Sequence, residues 1–126
     1  MHENEIGTVI VDSAVHLHQD LGQGLPETVH EVAHADKLCK RGLSVQRHIA
    51  IPIEYDGQRF DEGFRADLIV EGKVIAGLKS VGKVHSAHKK QVLTCLRLTG
   101  MKIGYLLNFR QALMKDGITR IVHGEL

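Results

Sequence analysis

The stretch GFRADLIVEGKVIAGLKSVGKVHSAHKKQVLTCLRLTG, from Gly63 to Gly100, restricts this chain more than any other. Its first two segments alternate, so Asp67 and Ile69 share one face of RADLIV while Ile75, Gly77 and Lys79 share one face of VIAGLK. With Glu71-Gly72-Lys73 as the loop of a hairpin, the register sets Asp67 opposite Gly77 and Lys79 one pleat further on. An acid and a lysine then point into one space. A helical pattern follows over residues 84–99, with His88 and Gln91 one turn apart at its polar start and Gly100 closing it. Val92, Leu93, Cys95, Leu96 and Leu98 make its second half apolar nearly all round, which predicts burial against a sheet.

The remaining elements are built around this unit. Ile6, Val9, Ile10, Ala14, Leu17 and Leu21 recur at helical spacing, and Gly22 and Gly24 end that first helix. Pro26 suits the first turn of a second helix reaching about Arg41, which is expected to bury Leu25, Val29, Val32, Ala35 and Cys39. Glu27, His30, Glu31 and His34 form a polar seam on its other side. After Gly42, VQRHIAIPIEY alternates as a strand and Asp56-Gly57 turns it into QRFDEGFRADLIV, so that KVIAGLK completes a three-stranded antiparallel meander. KIGYLLNF reads as an apolar strand from inside a sheet and ITRIVHG as a last, more polar one. The expectation is an α/β fold in the order α-α-β-β-β-α-β-β, a mixed sheet of four or five strands flanked by helices, in a single domain over residues 1–126.

With 126 residues, 43% of them hydrophobic, one core is enough and no second domain is needed. The apolar runs are too short for a membrane span, and the N-terminal residues lack a signal-peptide pattern, which predicts a cytoplasmic protein. Cys39 and Cys95 have no CxxC partner and are expected as buried thiols. The net charge of +1 conceals an asymmetry: residues 1–72 carry 13 acids and 6 Lys/Arg, whereas residues 73–115 carry 9 Lys/Arg and no acid. That second block is a candidate polyanion surface, with Lys83, Lys89, Lys90 and Arg97 as its expected contacts to DNA or RNA. An aromatic content of 4% is too low for a base-stacking platform, so phosphate contact has to dominate.

The element order and these motifs resemble the small bacterial GxxExxY proteins, a branch of the PD-(D/E)xK nuclease superfamily, over about Gly22 to Val122. Gly24-Leu25-Pro26-Glu27-Thr28-Val29-His30 looks like the naming motif, with His30 where tyrosine usually stands. IPIEYDGQRFDEGFRADLIVEGKVI resembles the family's central strands, KKQVLTCLRLTG its glutamine-bearing helix, and GYLLNF with GITRIV its closing strands. The resemblance implies a restriction-endonuclease-like core and phosphodiester hydrolysis with Mg²⁺, or Mn²⁺ in its place. It further implies Asp67 as principal metal ligand, Glu27 and the Leu78 carbonyl as further ligands, Lys79 beside the scissile phosphate, and Gln91 as a positioning group.

The chain departs from the family at one decisive place. Where the second strand normally reads VELK, this one reads Ala76-Gly77-Leu78-Lys79, and Gly77 has no carboxylate. Impaired or lost cleavage is the leading expectation. The alternatives are a relocated acid, Glu27 or Glu31, and a non-catalytic module that binds nucleic acid or protein on the same fold. A remote alternative is a zinc hydrolase, because His30-Glu31-Val32-Ala33-His34 matches HExxH. The pattern names no third ligand; Glu54 and His48 are candidates only by lying downstream. Without that pattern the seam reads as a solvated or partly buried helix face.

Overall fold

The computed structural model describes residues 1–125. Its elements are α1 (Glu3–Leu21), α2 (Glu27–Lys40), β1 (Val45–Tyr55), β2 (Gln58–Val70), β3 (Val74–Lys79), α3 (Ser86–Thr99), β4 (Ile103–Asn108) and β5 (Ile118–Val122), with a short 3-10 turn at Met114–Gly117. The five strands lie side by side in chain order, β1-β2-β3-β4-β5, as a mixed α/β sheet flanked by helices, the expected restriction-endonuclease-like arrangement. All neighbouring pairs are antiparallel except β3 and β4, which run parallel. Parallel neighbours need a crossover, and α3 is that crossover. No described helix is long and apolar enough to cross a membrane.

Local chemistry sets the ends of these elements. The His2 ring accepts the Asn4 N–H while the Glu5 carboxylate accepts the His2 N–H, a reciprocal cap that starts α1 earlier than its apolar spacing suggests. Asp56 and Gly57 both have positive φ, 54° and 74°, which gives the β1–β2 turn the twist its strands require. Pro52 falls at the register shift between Ile51 and Ile53, on the edge strand where a missing N–H is tolerated.

The sheet is covered on both faces. On one side α1 and α2 pack Ile6, Ile10, Ala14, Leu17 and Leu38 onto Leu68, Val70, Ala76, Ile103 and Leu107. On the other, α3 packs Val92, Cys95 and Leu96 onto Ile69, Ile75 and Leu106. β4 is buried at every position because its alternate residues feed the two layers, which is why its sequence is an unbroken apolar run. Gly7 lets α1 approach β4: a Cβ there would collide with the Tyr105 hydroxyl.

The structure corrects the sequence-based orientation of α2. His30 and His34 are fully buried and Glu31 nearly so, while Val29 and Val32 are 43% and 46% exposed and Cys39 also faces solvent. The polar seam therefore points inward from His30 onward, with Glu27 left exposed at its start. Ala35 and Leu38 lie on the same side as that seam, and the flat His30 ring stacks on Phe109 at 4.3 Å and 11°. His34 Nε2–H donates to the Ile10 carbonyl at 3.1 Å. An unprotonated imidazole can serve as an aromatic core side chain once it is stacked or hydrogen-bonded, which polarity patterning alone does not anticipate. Two smaller corrections concern helix ends: Leu98, rotated off the Val92–Cys95–Leu96 stripe of α3, is 40% exposed, and Leu21, the last residue of α1, is 39% exposed.

Candidate functional site

Asp67 lies where β2 and β3 cease to pair regularly. Their ladder runs through Val70↔Val74, Ile69↔Ile75 and Leu68↔Ala76, and its continuation sets Asp67 across from Gly77. There the Asp67 carboxylate itself accepts the Leu78 N–H, at 2.8 Å. Lys79 ends β3, its carbonyl taking the Phe109 N–H at 2.9 Å. Asp67, Gly77, Lys79, His88 and Gln91 line one recess, beneath the first turns of α3. The alternation of β3 and the crossover helix bring these residues together.

Asp67 also opens onto a second cleft on the α2 side, shared with Glu27, Glu31, His48 and Leu78. Glu27 Oε1 accepts the Ser80 N–H at 3.0 Å, tying the start of α2 to the chain just after β3. Glu31 Oε2 accepts a hydrogen bond from His48 Nε2 at 2.8 Å and stands 3.6 Å from the Arg47 guanidinium. Glu31 Oε1 is buried with no hydrogen-bond partner among the described residues. His48 is held in the left-handed region, φ 52°, in the middle of a strand. The register pairs Arg47 with Leu68 and Ile49 with Ala66, so His48 falls directly opposite Asp67.

The electrostatics of Asp67 reflect both clefts. Burial raises its pKa above the usual carboxylate range, the Leu78 N–H opposes that shift, and the charges of Glu31 and Glu27 add to it while Lys79 subtracts. Asp67, Glu27 and Glu31 line one half-buried cleft, a concentration of negative charge that favours a cation. Among the described residues no three His, Cys, Asp or Glu side chains stand close enough together to enclose a metal by themselves. Mg²⁺ does not require that, because it usually binds through one or two carboxylates and keeps several waters. The donor set, hard oxygens with one orphaned carboxylate oxygen among them, fits such an ion.

Of the residues singled out from sequence, Asp67, Lys79 and Gln91 meet in the α3-side recess, whereas Glu27 reaches Asp67 only from the α2 side. Lys83 and Lys89 line a separate groove that includes Asp116, and Lys90 and Arg97 are exposed along α3. Sequence reasoning overlooked Asn108, a buried residue whose Oδ1 accepts the Val81 N–H and whose Nδ2 donates to the Val81 carbonyl. It fixes the loop between Lys79 and α3. An Asn closing an otherwise apolar strand was the available signal. As for HExxH, burial closes His30 and His34 off from solvent, and only its glutamate faces a cleft.

Neither the curated proteins nor the solved structures yield a match to this chain. The family description that does match is the PD-(D/E)XK nuclease superfamily, over residues 4–121, which takes in nearly all of every helix and strand. The chain belongs to the PD-(D/E)XK nuclease superfamily.

Proposed function

We propose that this protein is a nucleic-acid phosphodiesterase of that superfamily whose cleavage is weakened by the glycine at position 77. The observation that carries the reading is the space at Gly77. A Cβ built there meets only Leu106, Val92 and the Tyr105 carbonyl at 3.6–3.9 Å, ordinary contact distances. Neither packing nor backbone conformation demands glycine at the one place where Asp67, Lys79 and Gln91 surround a side chain.

Asp67 and the Leu78 carbonyl would hold the divalent cation, with Glu27 at the rim. A strand residue projects its N–H and C=O to the same side, so the Leu78 carbonyl leaves β3 in the direction of Asp67. Such an ion, when bound, offsets charge on the phosphoryl oxygens and supplies hydroxide near neutral pH. The Lys79 ammonium, in the same recess, stabilises charge developing on the phosphate. Gln91 orients the phosphate or the attacking water from α3. Lys83, Lys89, Lys90 and Arg97 extend the contact along the strand of DNA or RNA. The Gly24–His30 segment supports placement in the GxxExxY branch, and its glutamate, Glu27, is the residue that ties α2 to Ser80.

The test is a nuclease assay with Mg²⁺ or Mn²⁺ on wild type and Gly77→Glu, using single- and double-stranded DNA and RNA, with Lys79→Ala as control. Cleavage that appears or rises strongly in Gly77→Glu and disappears with Lys79→Ala supports the reading. No cleavage by any variant transfers the fold to a binding role without catalysis.

A further inference from the structure

The α2-side cleft contains a carboxylate held ready by its neighbours. Glu31 is 5% exposed, and one of its oxygens is engaged by His48 at 2.8 Å while the other is buried without a partner in a cleft shared with Asp67. Leaving a carboxyl oxygen buried and unpaired is costly, and native structures rarely tolerate it without a reason. His48 reaches Glu31 from an unfavourable backbone conformation, φ 52° in mid-strand, at the position opposite Asp67. Strain of that kind costs about 1–3 kcal/mol and persists where surrounding structure over-determines it, typically at functional sites. Two oddities, an orphaned acid oxygen and a strained histidine bonded to the same carboxylate, thus meet beside Asp67.

We infer that Glu31 is the second carboxylate ligand of a divalent cation held by Asp67, taking the place of the side chain that Gly77 lacks, and that His48 is its positioning residue. This rests on the metal-dependent reading of the cleft given above. The replacement comes from the opposite face of the sheet: a residue at 77 would approach Asp67 from the α3 side, whereas Glu31 approaches from α2. Asp67 opens onto both clefts, so its position permits either partner. His48 fixes Oε2 and leaves Oε1 for the ion, the way a hydrogen-bonded outer group orients a ligating carboxylate.

The experiment is a Mn²⁺ titration of the full chain, read by the loss of the free-Mn²⁺ electron paramagnetic resonance signal. The variants are Asp67→Asn, Glu31→Gln, His48→Ala and the Glu31→Gln/His48→Ala double. Wild type is expected to bind Mn²⁺, Asp67→Asn to lose it, and Glu31→Gln to weaken it by about tenfold or more. His48→Ala weakens it by about tenfold alone but adds nothing once Glu31 is changed, as expected of a residue acting only through another. Wild-type affinity in Glu31→Gln with loss in Asp67→Asn overturns the inference and leaves the metal-dependent reading standing. A wild type that binds no Mn²⁺ overturns both. Glu31→Gln folding is checked by circular dichroism; as a measurement needing no variant, the Glu31 side-chain carboxyl ¹³C shift is followed in wild type on adding Mg²⁺. It moves with the same Mg²⁺ dependence as that of Asp67 if both are ligands, and a static Glu31 signal beside a moving Asp67 signal rejects the assignment.

Discussion

Asp67 accepts the Leu78 N–H through its side chain, so one carboxylate both joins β2 to β3 and faces two clefts. Structural and chemical demands on it conflict. Its pKa is raised by burial first and by the neighbouring acids Glu31 and Glu27 as well, so the charged form is disfavoured in the folded chain.

Asp67→Asn keeps an acceptor for Leu78 while removing the charge. It is expected to raise stability by about 1 kcal/mol near pH 7.5, the usual scale for relieving strain at a functional site. The gain should shrink as pH falls, because wild-type Asp67 takes up its proton above the ordinary carboxylate range. Urea unfolding at pH 7.5 and 4.5 measures both. Asp67→Ala, which orphans the Leu78 N–H, should destabilise by about 1–3 kcal/mol instead.

Gly77→Ala should stabilise by roughly 0.5–1 kcal/mol, since a strand interior disfavours glycine and the added methyl meets only ordinary contacts. Gly104→Ala should do the reverse. A Cβ there stands 2.8 Å from Val92 Cγ1, a stiff side chain fixed in the α3 layer, and overpacking of that kind costs about 1–3 kcal/mol. Opposite shifts of the two denaturation midpoints check the pair.

Stability should fall with acid in a range that His34 sets. Burial lowers its pKa from 6.5 to about 4 in the folded chain. Between those values the unfolded chain holds a proton that the folded chain does not, so stability present above pH 6.5 is lost as pH drops toward 4. The loss approaches ~3 kcal/mol at pH 4. His34→Gln, which still donates to the Ile10 carbonyl, should flatten the pH dependence of the melting temperature without abolishing it, because burial also lowers the pKa of His30.

Binding of a single-stranded or duplex oligonucleotide should weaken steeply with salt. Lys90 and Arg97 lie seven residues apart along the exposed side of α3, and neither is in an ion pair among the described residues. Replacing both by alanine should reduce the slope of log K against log salt by about 1–2, nearly one for each phosphate left without its cation. Fluorescence anisotropy between about 50 and 200 mM salt, the range over which phosphate-driven binding falls most, reads it.

The elements of this fold were legible because each rested on local information. Alternation and the Asp56-Gly57 and Glu71-Gly72 turns defined the meander and placed Asp67 against Gly77, and the unbroken run of β4 marked a strand covered on both sides. The rotation of α2 was not legible. Val29 and Val32 are as apolar as Ala35 and Leu38, so pattern alone could not choose between two faces of one helix; the Phe109 ring and the Ile10 carbonyl, both distant in the chain, decide it. The sequence nominates Glu31 as a relocated acid, but not the rotation that turns it toward Asp67. Glu31 faces Asp67 only because His30 and His34 turn inward, and His48 gains its place by a positive φ that no sequence rule assigns to histidine in a strand.

The cleft is assembled from elements that are joined by very different connections. Asp67, Leu78 and Lys79 belong to strands joined by one tight hairpin, whereas Gln91 arrives with the helix that must return β4 parallel to β3, and Glu27 and Glu31 arrive with a helix from the other face. A chain with its hairpins formed and its helices undocked shows the acid and the lysine to water with nothing opposite them. Ligands that need the closed cleft therefore bind only the finished molecule, and their affinity draws the last docking steps toward completion.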